Sequence, residues 1–138
     1  MTAHVLTVVG YILATLLVQG TSHFAINAAH YAAVDFNRAE PIFALGVGAM
    51  IVQGAVLSAV YIRSRFADGR LISALQLSWL FGAFLASYMA LALAGEYEVP
   101  SIASWIVTEM WVAAIQFTLI GLALWFAHSR FGAATVRA

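Results

Sequence analysis

Of the twelve formally charged side chains in this 138-residue chain, eleven gather at the ends of long apolar runs and only Glu109 lies inside one. That placement restricts the fold more than any motif does. A hydrocarbon layer needs roughly 20 apolar residues per helix, and four stretches meet the need: about 5 to 29, 42 to 62, 71 to 95 and 101 to 127. With 64% hydrophobic and 9% charged residues, a water-soluble fold would leave large apolar patches exposed, whereas a bilayer accepts an apolar exterior. The expected fold is all-α, a transmembrane four-helix bundle forming one domain over residues 1–138.

The connections carry the punctuation such a bundle requires. Pro41 follows Asn37-Arg38-Ala39-Glu40 at the start of the second run, Asp68-Gly69 separates the second from the third, and Pro100-Ser101 separates the third from the fourth. The stretch from Ser22 to Phe36 contains neither Gly nor Pro, so the first helix is expected to continue beyond the membrane surface. Met1 to His4 lacks the Lys or Arg that opens a secretory signal, and the first run is read as a retained span.

Orientation follows from the arginines. Arg63, Arg65, Arg70, Arg130 and Arg137 fall on one side and only Arg38 on the other, which carries Asp35, Glu40, Glu96 and Glu98. The basic side, with both termini, is expected to be cytoplasmic. Net charge is zero, so no basic field exists to attract nucleic acid. There is no cysteine, which removes disulfides, thiolate nucleophiles, iron–sulfur clusters and thiolate-bound zinc from consideration.

Small side chains recur at four-residue intervals in the third run: Ser78, Gly82, Ala86, Ala90 and Ala94. Ala44 and Gly48, then Ala55 and Ala59, repeat the device in the second. Lipid tails are as apolar as Leu, so helices associate in a bilayer through close backbone approach and interhelical hydrogen bonds. These ridges are expected to pack the protomer's own helices or to form a face for self-association. Trp105 and Tyr97 at one end, and Trp125, Tyr61 and Phe66 at the other, fit aromatic belts at the membrane surfaces.

Thr15, Gln19, His23, Asn27 and His30 recur every three or four residues and place a polar stripe on the first helix. Glu109 and Gln116 share a face of the fourth. At about 1.5 Å per residue, Glu109 lies roughly 10 Å below the outer surface, level with Gln19 and His23. A carboxylate in hydrocarbon is destabilised by several kcal/mol unless paired, hydrated or protonated, which makes Glu109 a candidate site with His23 as its expected partner. The alternative is a helix lock, in which Glu109 bonds Gln19, Thr108 or water. A second interhelical bond is expected between Gln76 and Gln116.

Imidazole and carboxylate suit zinc, iron or copper, so His23, His30, Asp35 and Glu109 form a possible metal set, although their spacing matches no compact motif. Haem is disfavoured, since His23 and His30 share one helix and neither His4 nor His128 lies at the required depth. No cofactor is expected. Phe24, Tyr31, Arg38-Ala39-Glu40-Pro41-Ile42, Gln53-Gly54, Glu109 with Ile115-Gln116-Phe117, and Gly121 give the chain a resemblance to small four-span proteins of bacterial inner membranes. These are known by sequence alone, so the resemblance implies fold and location and no activity.

Three functions are expected as alternatives. The first is an accessory or assembly subunit that packs against itself or a larger membrane complex. The second is a proton-linked binder or carrier of a small molecule or ion, with Glu109 as the titrating group and His23, Gln19 and Asn27 lining its site. The third is a metal-dependent membrane enzyme or redox subunit using His23, His30 and Glu109.

Overall fold

The computed structural model describes residues 1–34, 38 and 40–132, and among these it is helical with no strand. Helix α1 (Thr2–Thr21) passes into a π-helical turn (Ser22–Ile26), breaks at Asn27 and resumes as the short α2 (Ala28–Ala32). Then come α3 (Phe43–Arg63) and α4 (Leu71–Ser87), the latter continued by a second π turn (Tyr88–Ala92) into α5 (Leu93–Glu96). Helix α6 (Ile102–Phe131) is the last described element. Four helical stretches, Thr2–Ile26, Phe43–Arg63, Leu71–Glu96 and Ile102–Phe131, are long and apolar enough to cross a membrane, which points to membrane integration.

Local chemistry marks the helix ends. Ser101 caps α6 by accepting the Ser104 N–H at 3.3 Å. Gly69, with φ of 79°, makes the turn between α3 and α4. Beside it, the Asp68 carboxylate accepts the Arg70 N–H at 2.9 Å and the Ser73 hydroxyl at 2.7 Å, which pins the start of α4. The second span begins at Phe43, two residues past Pro41.

The first helix does not continue straight as its composition suggests. The π turn admits one extra residue per turn and rotates the chain beyond it. Asn27, at φ −114° and ψ 23°, then leaves helical geometry, and the chain turns before α2. This local change of rotation carries Tyr31 into the bundle.

Helix α6 packs along α1 on one side and along α4 on the other, α3 packs against α1, and α3 and α4 meet only slightly. The order α3, α1, α6, α4 therefore leaves a seam between the first and last. Tyr11, Leu57, Leu77, Phe117, Ile120 and Leu124 form the main core, while Leu13, Leu17, Leu80, Phe84 and Val107 lie on the exposed exterior, as an apolar solvent allows. The close approaches use small residues. A Cβ built on Gly82 would lie 2.7 Å from Phe117 Cγ, and one on Gly10 would lie 2.6 Å from Ala123 Cβ.

Ser78, Ala86, Ala90 and Ala94 are buried with Gly82. Ala44 and Gly48 are exposed instead, and a Cβ built on Gly48 meets nothing within 4 Å. Both belong to the first part of α3, where no neighbouring helix covers them. His4 of α1 and His128 of α6 lie together, with ring centroids 5.5 Å apart, so the start of the first span and the end of the last share one end of the molecule. Arg63, Arg65, Arg70 and Arg130 belong to that basic end; Arg38, Glu40, Glu96 and Glu98 belong to the opposite, acidic end.

Candidate functional site

At the acidic end the hydrogen bonds run in one direction. The Asn27 amide donates to Ser22 Oγ at 2.9 Å, Ser22 Oγ to Tyr31 Oη at 3.4 Å, and Tyr31 Oη to Glu109 Oε1 at 2.8 Å. Glu109 is 7% exposed and is the terminal acceptor of this chain. A carboxylate that receives a hydroxyl hydrogen bond is better able to hold its charge than one in bare hydrocarbon. Among the described residues, the arginines within the spans, Arg63 and Arg130, lie at the opposite end from Glu109, so none is placed to pair with it.

The expected direct pair between His23 and Glu109 is not made, because Tyr31 occupies the place between them. Its ring stacks on His23 with centroids 3.6 Å apart and planes 9° from parallel. His23 Nδ1 lies 3.1 Å from the Gln19 carbonyl. A carbonyl only accepts, so Nδ1 carries the hydrogen of this bond. Sequence periodicity marks His23 and Glu109 as level with each other; it carries no sign of the π turn that brings Tyr31 in from beyond the span.

One level deeper, Gln19 donates to Gln116 Oε1 at 2.6 Å, and Gln116 donates to Thr15 Oγ1 at 3.1 Å. These bonds join α1 to α6 and replace the expected pair of Gln116 with Gln76, which is exposed on α4. The α4 face that meets α6 is built from Ser78, Gly82 and Ala86, so Gln76 points elsewhere. Tyr11 donates to Gln53 Oε1 at 2.9 Å and continues the line toward α3.

Trp105 departs from the expected aromatic belt. It is buried at 3% exposure, and its indole N–H donates to the Met89 carbonyl at 3.0 Å. Met89 lies within the second π turn, where the ordinary i to i+4 ladder is interrupted. His30 stacks on Trp105, with centroids 5.1 Å apart, and meets the edge of Tyr31. The Nε2 of His30 is buried and has no hydrogen-bond partner among the described residues.

Of the expected metal set, the described members His23, His30 and Glu109 do not come together as a group of ligands. Tyr31 contacts His23, His30 and Glu109 and stands among them, and no three His, Cys, Asp or Glu side chains converge among the described residues. Asp35 lies outside the described residues.

Beside Glu109 is a cavity of about 300 Å³. Its polar wall includes Gln19, His23, Tyr31, Gln53, Glu109 and Gln116, and Trp105, Met50 and Met89 line the rest with other apolar residues. Asn27 does not line it and acts through Ser22. Gly46 and Ala49 border the side where α3 and α4 separate; both are exposed, and a Cβ on Gly46 meets nothing within 4 Å. The cavity therefore communicates with the apolar exterior through the α3/α4 seam. Comparison of the chain with protein-family models, curated proteins and solved structures finds no match.

Proposed function

We propose that the protein is a membrane-embedded, proton-linked binder of small lipophilic cations, which enter between α3 and α4 and displace a proton from Glu109. The observation that carries this reading is a buried carboxylate on the wall of a laterally open cavity, with a hydroxyl donor and, among the described residues, no fixed cation beside it. Its volume falls at the small end of ligand sites. Trp105 and Tyr31 add aromatic faces that attract a cation by their quadrupoles. A bound cation and a proton neutralise the same group, so the two compete.

The test uses the purified protein and benzyltrimethylammonium, followed by tryptophan fluorescence across a pH series. Affinity should fall about ten-fold per pH unit once Glu109 begins to protonate, since each bound cation then displaces one proton. Glu109→Gln should abolish binding, and Gly46→Phe should weaken it by filling the opening. Binding that is independent of pH, or retained by Glu109→Gln, defeats the reading.

A second reading, an assembly subunit, is favoured by the exposed Ala44 and Gly48 on the uncovered part of α3. A stable larger assembly copurifying from native membranes would support it, and loss of that assembly on Gly48→Leu would locate the face. In either case the basic end is assigned to the cytoplasm and the membrane to a bacterial inner membrane.

A further inference from the structure

Gln76 is exposed on α4, and among the described residues its amide makes no hydrogen bond. An unpartnered amide beside hydrocarbon is unfavourable, so a polar group belongs next to it. The span Leu71–Glu96 has 26 residues, about 39 Å of helix against roughly 30 Å of hydrocarbon, which places Gln76 close to the hydrocarbon boundary on the basic side. Side chains tilt toward the start of a helix, and α4 starts at the basic end, so the amide leans toward the headgroups. One turn deeper, the Trp79 indole N–H donates to Thr118 Oγ1 of α6 at 3.0 Å, and that hydroxyl donates to the Ala114 carbonyl at 2.7 Å. The ring is thereby fixed across α4 and α6.

A surface cavity of about 400 Å³ joins Gln76, Trp79 and Leu80 to Arg65 and Phe66 of the connection between α3 and α4. Ser64 holds that connection, accepting the Phe66 N–H at 3.3 Å and donating to the Tyr61 carbonyl at 2.9 Å, and the Arg65 guanidinium lies 5.3 Å from the centre of the Phe66 ring. Arg65 has no acidic partner among the described residues. Asp68, the one acid at this end among them, is occupied by the Arg70 N–H and the Ser73 hydroxyl. Trp79 also borders an apolar groove of about 240 Å³, lined in part by Gly82, Ala83 and Ala86 of α4 and Ala113 and Ala114 of α6. From Gln76 to Ala86 the two cavities cover about 15 Å along the helix, half of the roughly 30 Å of hydrocarbon. That is the depth of one leaflet.

We propose that this groove holds one anionic phospholipid from the leaflet at the basic end, with its phosphate on Arg65, its ester region on Gln76 and one acyl chain along the small residues past Trp79. A guanidinium matches phosphate oxygens in a two-pronged fork, and basic pockets beside transmembrane helices recognise acidic headgroups. A free phosphate would use only the mouth, whereas the apolar length beyond Trp79 fits a molecule that carries a chain. A zwitterionic lipid would bring its own cation to a mouth that offers an arginine and no free acid, so a headgroup of net negative charge is favoured. The site does not depend on proton exchange at Glu109.

The test reconstitutes the full chain in phosphatidylcholine bilayers containing brominated phosphatidylglycerol or brominated phosphatidylcholine and reads tryptophan quenching. Subtracting the signal of Trp79→Phe separates Trp79 from the other tryptophans. At Trp79, brominated phosphatidylglycerol should compete about five-fold better than brominated phosphatidylcholine, the ratio expected of one arginine beside an anionic lipid. Arg65→Gln should bring that ratio to near one. Arg63, which donates to the Ala59 carbonyl and does not line the groove, should leave the ratio unchanged when replaced by Gln, while Ala83→Leu should reduce quenching by both lipids. Native mass spectrometry in detergent needs no Trp79 variant: the wild type should retain one phosphatidylglycerol and Arg65→Gln none. Helical circular dichroism establishes that the variants are folded. Equal quenching by the two lipids, a preference that survives Arg65→Gln or is lost equally in Arg63→Gln, unchanged quenching in Ala83→Leu, or equal retention in the mass spectrum overturns the proposal. Displacement of the lipid by inorganic phosphate would reduce the site to a simple anion mouth and overturn it as well.

Discussion

Exchanging the two small residues at the tightest α1/α6 crossing should destabilise and then restore the protein. In Gly10→Ala the added Cβ would lie 2.6 Å from Ala123 Cβ, about 1 Å inside ordinary contact, so helices α1 and α6 must part. Such overpacking costs about 1–3 kcal/mol, against which the better helix propensity of Ala returns up to about 1 kcal/mol. The expected net loss is about 1–2 kcal/mol. Ala123→Gly removes the opposing methyl, leaving the new Cβ to face the residue 123 Cα at 3.9 Å, an ordinary contact. The double variant still has one Gly and one Ala, so the propensity contributions cancel and stability should return to near wild type. Reversible unfolding by sodium dodecyl sulfate in mixed micelles, monitored by circular dichroism, gives all four corners of the cycle. A neutral or stabilising Gly10→Ala, or single effects that add within about 0.5 kcal/mol, would refute close approach at this crossing.

The connections between spans support two more predictions. The Arg70 N–H first, then the Ser73 hydroxyl and the Arg70 charge, hold the Asp68 carboxyl below its ordinary value of 3.8. A lowered folded pKa gives a contribution that is present above that ordinary value and lost as pH falls through the folded one. Asp68→Asn should therefore lower stability slightly at neutral pH and match the wild type in strong acid, which unfolding midpoints across pH will check; equal differences at both extremes would count against it. Because the chain has no cysteine, Ala67→Cys and Glu98→Cys provide unique labels. In intact cells an impermeant maleimide should modify only the second, and the reverse pattern would invert the proposed orientation.

Much of the site was legible as periodicity. Gln19 and Thr15 on one helix and Gln116 on another stand out because polar groups in apolar runs are few, and a helix repeats its faces every three to four residues. The partner of Glu109 was not legible in that pattern. Tyr31 lies past the end of the first span, and it reaches the carboxylate only because a π turn and the break at Asn27 redirect the chain. The polar cluster at the basic end had a readable signal: His4, Thr7 and Tyr11 extend the spacing of Thr15 and Gln19. Ser58 and His128, which meet His4 there, had none, since the residues four positions before them, Gly54 and Leu124, are apolar.

Helicity, the number of spans and the sorting of charge to their ends belong to the sequence alone, because the transfer of each side chain between water and lipid adds along the chain and needs no knowledge of neighbours. Which polar groups meet, where a cavity remains and which small residues are crowded belong to the tertiary structure. Those depend on the rotation and separation of whole helices, and one inserted residue in a π turn moves every side chain beyond it to a new direction.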